Sequence, residues 1–276
     1  MSKTLFTGCS YTAGYGWELE SHDPNLWTNI LHKNNSFLKN TEQVNLGIPG
    51  ASNLEIFTET ARALLEHQPM YALVEWTSYP RYNVLLSVET YNSHQCFTAN
   101  TVFFDQKLND ITYTKKYLGD IRDRFFSLHH PHLDIVNIVK YTNILINLSK
   151  LTNTKIFFIN GMCHWDDGYF NVLQNVLPNQ YTPYTQSILN CNSRDDSEIF
   201  KLYDKIHQEY FVEGGIQSQH WLNLYSSMRS KMVDVNPDGV HPGKLSNINF
   251  FNLVNQQLHL ILSSQDSHRS TSCAEQ

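Results

Sequence analysis

The chain has 276 residues, 41% hydrophobic and 17% charged, with 20 basic against 26 acidic side chains and a formal net charge of −6. That is enough apolar material for one substantial core, and it excludes a disordered chain, a collagen-like repeat and a coiled coil. With no Lys/Arg-rich run, the mildly acidic balance also excludes a phosphate-coating nucleic-acid binder.

Cys9, Cys96, Cys163, Cys191 and Cys273 are odd in number and never spaced CxxC. Neither a disulfide framework nor a zinc knuckle is expected. There is no secretory h-region after Met1 and no run of roughly 18 apolar residues, so no membrane span and a cytoplasmic location are expected.

Residues 3–7 are short, apolar and β-prone, and lead into Gly8-Cys9-Ser10, the pattern of a buried strand entering a tight loop. Asp23-Pro24 predicts an N-cap and first helical residue for a helix near 24–34, with Leu26, Trp27, Ile30 and Leu31 on one face. A second strand is predicted over 42–47. Ser52-Asn53-Leu54-Glu55 is a capping box opening a helix to about His67, with Leu54, Ile56, Phe57, Ala61, Leu64 and Leu65 as its apolar face. Pro69 closes that helix. The run Tyr71 to Trp76 predicts a strand buried on both faces. Helical spacing from Asp134 to about Leu151 precedes a fourth strand, Lys155 to Asn160. A helix over 196–211, a fifth strand at Met232 to Val235 and a final amphipathic helix over 245–263 complete the alternation. This order predicts a three-layer α/β/α sandwich with a mainly parallel five-stranded sheet. Residues 1–262 are expected to form one domain, with excursions at about 80–132 and 161–195. Residues 263–276 read as a polar, disordered tail.

In an open parallel sheet, ligands bind beyond the carboxyl ends of the strands. Ser10 falls on the first such loop. A serine hydroxyl needs a base to take its proton, and a neutral imidazole oriented by a carboxylate suits the task. Asp238-Gly239-Val240-His241-Pro242 supplies both, since an aspartate three residues before a histidine can fold back onto Nδ1–H and leave Nε2 for the hydroxyl. Taken singly, the serine is an ordinary turn residue and the Asp/His segment an ordinary loop. Their joint placement, after the first strand and before the last helix, carries the inference.

On Gly8-Cys9-Ser10, Asn45-Leu46-Gly47-Ile48-Pro49-Gly50, the strand Leu73 to Trp76 and Asp238 to Pro242, the chain resembles the SGNH (GDSL-like) hydrolases over residues 3 to 260. The resemblance implies a flavodoxin-like fold. It also implies Ser10 as nucleophile, His241 as base, Asp238 as its orienting carboxylate, and the N–H groups of Ser10 and Gly50 as oxyanion donors. Two positions depart from the pattern. Cys9 stands where the family has the aspartate of GDS, and Thr77-Ser78-Tyr79-Pro80-Arg81 replaces the GxND loop. The third oxyanion donor is therefore open among Thr77, Ser78, Tyr79 and Arg81. Loss of one such donor costs on the order of 100- to 1,000-fold in turnover. The Trp-Thr-Ser-x-x-Arg loop is also loosely similar to SGNH-like proteins of large phages and marine bacteria.

Asn45, expected to brace the second loop, joins Trp76, Arg81 and His164 as the expected substrate-binding residues, and Ser52 or Asn53 is expected to cap the helix that follows. His129-His130-Pro131-His132 lacks a matching carboxylate or thiolate spacing, so no metal is expected. Neither a dinucleotide fingerprint nor a P-loop is complete, so no cofactor is expected. The sequence supports a serine esterase acting on an acyl or acetyl ester, a carbohydrate ester included, as a small-molecule substrate. The alternative is a catalytically weak or silent module that binds a carbohydrate or a partner protein through its 15 Tyr, 15 Phe and 5 Trp.

Overall fold

The computed structural model describes residues 2–14, 23–77, 81–84, 95–98, 131–161, 222, 227–239 and 241–272, without the side chains of 81–84, 95–98, 131–136, 139 and 264–272. Four strands form one sheet, β1 (Lys3–Thr7), β2 (Glu42–Asn45), β3 (Tyr71–Trp76) and β6 (Lys155–Asn160), in the order β2-β1-β3-β6. All pairings are parallel, with Leu5 beside Val44 on one side and Ala72 on the other, and Trp76 beside Asn160. β4 (Arg81–Val84) and β5 (Gln95–Thr98) make a separate antiparallel pair.

Helices cover both faces of the sheet. α3 (Asn53–His67) and α4 (Pro131–Leu151) lie on one side, where Phe57 stacks on Tyr141 at 4.6 Å and Trp76 stacks on Phe158. α2 (Trp27–Asn34) and α5 (Lys244–Ser272) lie on the other, where Phe6 meets Trp27 edge to face at 5.8 Å. α2 and α5 are joined by Trp27 N–H donating to Asn247 Oδ1 (3.0 Å) and by Asn35 Nδ2 donating to Asn255 Oδ1 (2.8 Å). Every residue of β3 is buried, Glu75 included, as its largely apolar run predicts for a central parallel strand.

The capping box forms as read. Glu55 N–H donates to Ser52 Oγ and Ser52 N–H to Glu55 Oε2. The predicted face of α3 needs correction, because Leu54 and Leu65 are exposed while Thr60 and Ala63 are buried with Ile56 and Leu64. At about 100° per residue Leu54 and Leu65 fall on the side opposite that stripe. The Thr60 hydroxyl is satisfied there by Thr7 Oγ1 at 2.7 Å.

Three further expectations are corrected. Asp23-Pro24 does not open α2: Asp23 Oδ1 instead accepts the Asn25 N–H in an Asx turn, and the helix begins at Trp27 after Leu26. Met232 to Val235 is not a strand, for only Val235 bridges, to Pro242. The edge of β6 receives single hydrogen bonds instead, from Leu222 N–H to Phe158 O and from Met228 N–H to Asn160 O. Finally, α5 continues past residue 263 to Ser272. The expected helix at 196–211 and most of both excursions lie outside the described residues. No helix among the described residues is long and apolar enough to cross a membrane.

Candidate active site

β1 ends at Thr7, and after Gly8 and Cys9 the chain turns into α1 (Ser10–Ala13), a four-residue helix closed by Gly14 N–H donating to Ser10 O. Cys9 is the N-cap residue, yet its side chain makes no cap bond. The thiol points down to the carboxylate of Glu75 on β3, which also accepts the Cys9 N–H and the Thr12 hydroxyl. Ser10 is buried, with Oγ 3.9 Å from Cys9 Sγ. Its N–H donates to none of the described residues, as the first orphan donor of a helix does.

The second loop is tied to the first by Ile48 N–H donating to Gly8 O (2.9 Å). Asn45 braces it, its Nδ2 donating to Thr12 O (2.8 Å) and its Oδ1 accepting Gly47 N–H (3.0 Å). Both ends of that amide are thus engaged by the protein, as a brace of the second loop requires. Gly50 is exposed, sits at φ +79°, and its N–H likewise donates to none of the described residues.

Asp238 and His241 come together as a local pair. His241 Nδ1–H donates to Asp238 Oδ2 at 2.5 Å and His241 N–H to Asp238 Oδ1 at 3.0 Å. One carboxylate thus fixes both the loop and the ring. A proton on Nδ1 leaves Nε2 with its lone pair, the tautomer a general base requires. The loop is closed by Asn236 N–H to His241 O and Gly239 N–H to Asn236 O, both 2.8 Å. The His241 ring is buried and lies edge-on to Tyr11, centroids 6.4 Å apart. Tyr11 follows Ser10 directly, stacks on Phe250 of α5 at 6.1 Å and reaches Met232 Sδ with its hydroxyl. The loop before the last helix therefore packs on the helix that Ser10 opens.

The third loop differs from expectation. Thr77 is buried, its N–H donating to Asn53 Oδ1 (2.9 Å) and its C=O accepting from Asn53 Nδ2 (3.2 Å). Asn53 is thus a clamp between α3 and the end of β3, and Ser52 alone is the cap. Trp76, expected against substrate, is fully buried in the core on Phe158 and Tyr141, because its alternation on β3 turns it toward α4. Ser78, Tyr79, His164, His129 and His130 lie outside the described residues, as does the side chain of Arg81.

Sequence reasoning missed Glu75, Tyr11 and Asn53 as organisers of this end of the sheet. The available signal for Glu75 was a carboxylate inside an otherwise apolar run, since acidic residues are almost never fully buried without hydrogen-bond partners.

The chain is thus an α/β protein with a serine, an Asp/His pair and two backbone N–H groups that donate to none of the described residues, all on loops beyond the parallel strands. The solved structures that match the chain include a lipolytic protein and esterases. One is a protein from Desulfitobacterium hafniense assigned to the G-D-S-L lipolytic family, 10% identical over 93% of this chain and 99% of that one, with a TM-score of 0.45. Others are the psychrotrophic esterase EstA of Pseudoalteromonas sp., 11% identical over 97% of this chain and 100% of that one (TM-score 0.43), and an acetylxylan esterase of Geobacillus stearothermophilus, 11% identical over 93% of each chain (TM-score 0.41). No family model and no curated protein matches the sequence.

Proposed function

We propose that the chain is an SGNH-like serine esterase that cleaves an acyl or acetyl ester, on a carbohydrate or another alcohol, through a Ser10-His241-Asp238 triad. His241 Nε2 takes the proton of Ser10 Oγ as that oxygen bonds to the ester carbonyl carbon. The carbonyl oxygen, now negative, is held by the N–H groups of Ser10 and Gly50. His241 then returns the proton to the departing alcohol as the C–O bond breaks, leaving an acyl-serine. Water, deprotonated by the same imidazole, releases the acid and restores Ser10. Asp238 keeps the Nδ1 proton in place and offsets the imidazolium charge formed at each transfer.

The observation that carries this reading is the bond from His241 Nδ1–H to Asp238, on a ring that contacts Tyr11, the neighbour of Ser10. It is tested with short p-nitrophenyl esters. Ser10→Ala and His241→Ala are expected to abolish turnover while the melting temperature stays within a few degrees of the parent. Hydrolysis at the parental rate by either variant would sink the assignment. A silent binding module is favoured by a single feature, the engagement of both Thr77 backbone groups by Asn53, which withdraws that N–H from any oxyanion. Failure of a fluorophosphonate to label Ser10 in the parent, together with retention on a sugar array, would select that second reading.

A further inference from the structure

Glu75 is fully buried in the middle of the sheet and has no part in the proton transfers described above. Its carboxylate accepts from three donors of one short segment: Cys9 N–H at 3.2 Å, Cys9 S–H at 3.1 Å and Thr12 O–H at 2.6 Å. The strands on both sides make room for it. A Cβ on Gly8, which follows β1, would fall 2.5 Å from Glu75 Oε2, and one on Gly161, which follows β6, would collide with Oε1. Taking a carboxylate out of water costs several kcal/mol, so a core that needed only packing would use an apolar residue here. The carboxylate instead grips the residues on either side of Ser10 and Tyr11 and leaves the Ser10 N–H unengaged.

We infer that Glu75 is the positioning residue of the nucleophile: it locks the Cys9–Thr12 turn to the central strand and so sets where Ser10 Oγ and Ser10 N–H stand. The inference rests on the esterase reading for its kinetic consequence, though not for the anchoring itself. Cys9 is the thiol donor this arrangement demands, because a second carboxylate at position 9 would meet the first at about hydrogen-bond distance, where two like charges oppose joint ionisation.

The test uses the full chain and a fluorophosphonate probe, with the limiting rate of Ser10 phosphonylation separated from the half-saturating probe concentration. Exchange of the Cys9 amide is followed in parallel by NMR. Glu75→Gln is expected to lower the limiting rate about 10- to 100-fold, the usual loss when a supporting partner of a reactive group is removed. The half-saturating concentration should stay unchanged, and the Cys9 amide should exchange faster. Cys9→Asp should also lose labelling, and the double variant Cys9→Asp/Glu75→Gln should recover it, because it moves the single carboxylate across the same contact. A folded Glu75→Gln protein with the parental limiting rate, or with a Cys9 amide as protected as before, overturns the inference. If Glu75→Gln does not fold, the double variant decides: recovery of the fold supports the anchor, and failure overturns it. If the parent is never labelled at Ser10, the esterase reading falls, and the exchange of Cys9 still decides the anchor.

Discussion

The loop that carries Ser10 and the loop that carries His241 are each held by a carboxylate that accepts from the backbone, Glu75 from one N–H and Asp234 from two, but the two anchors differ in kind. Glu75 belongs to the central strand and is wholly enclosed. Asp234 lies at the protein's edge and caps a helix, accepting Leu245 N–H at 2.9 Å and Ser246 N–H at 2.7 Å at the start of α5. The Ser10 loop is therefore fixed by the core. The His241 loop is fixed by a helix terminus and a second, local carboxylate, Asp238, whose side chain is 32% exposed. Overpacking a loop of the first kind should show up in stability, and disturbing one of the second kind should lose function before stability.

The sharpest challenge to that contrast is Asp238→Asn. It keeps an acceptor for the His241 amide but no longer enforces the Nδ1–H tautomer, so ester turnover should fall by about 10²- to 10⁴-fold. The melting temperature should hardly move, and a loss of several degrees would place Asp238 among the structural anchors. Gly8→Ala probes the other loop. Its methyl would enter space held by Glu75 and Thr12, and overpacking of this sort costs about 1–3 kcal/mol. Denaturant unfolding should record that loss, and an unaltered midpoint would mean that the first loop is softer than its contacts imply.

The smallest effect is expected at Asp234. Burial acts to raise its pKa, but the Ser246 hydroxyl and the N–H groups of Leu245 and Ser246 outweigh that and hold it below 3.8. A carboxylate depressed in the folded state adds stability that is fully present above its unfolded pKa and is lost as pH falls through the folded one. Asp234→Asn should therefore cost about 1 kcal/mol near neutrality, the size of a lost helix cap. The gap to the parent should close in acid below the ordinary aspartate range. A gap that persisted there would show that the cap works without its charge.

How much of this was legible in the sequence depended on the range over which each signal acts. β3, β6 and the start of α3 are written locally, in largely apolar runs and in a capping box, and they occur where those patterns lie. The Asp238–His241 bond is local too, three residues apart in a tight loop. Asp23-Pro24 misled because the same aspartate oxygen that caps a helix also closes an Asx turn, and the buried Trp27 settles where α2 begins. Met232 to Val235 looks like a strand by composition, but the donors that reach the β6 edge come from Leu222 and Met228. Glu75 and Asn53 escaped notice because each works on a partner far along the chain, Cys9 in one case and Thr77 in the other. Residue order does not reveal such partners until strands and helices are placed side by side.

α5 has a consequence for biosynthesis. Its side chains Phe250, Val254, Leu258 and Leu262 are all sealed inside the protein, and Asn247 and Asn255 fasten it to α2. A ribosome delivers this helix after the sheet and α2. Until then the nascent polypeptide presents Tyr11, Trp27 and Leu31 to solvent, a sticky surface of the sort that chaperones attend.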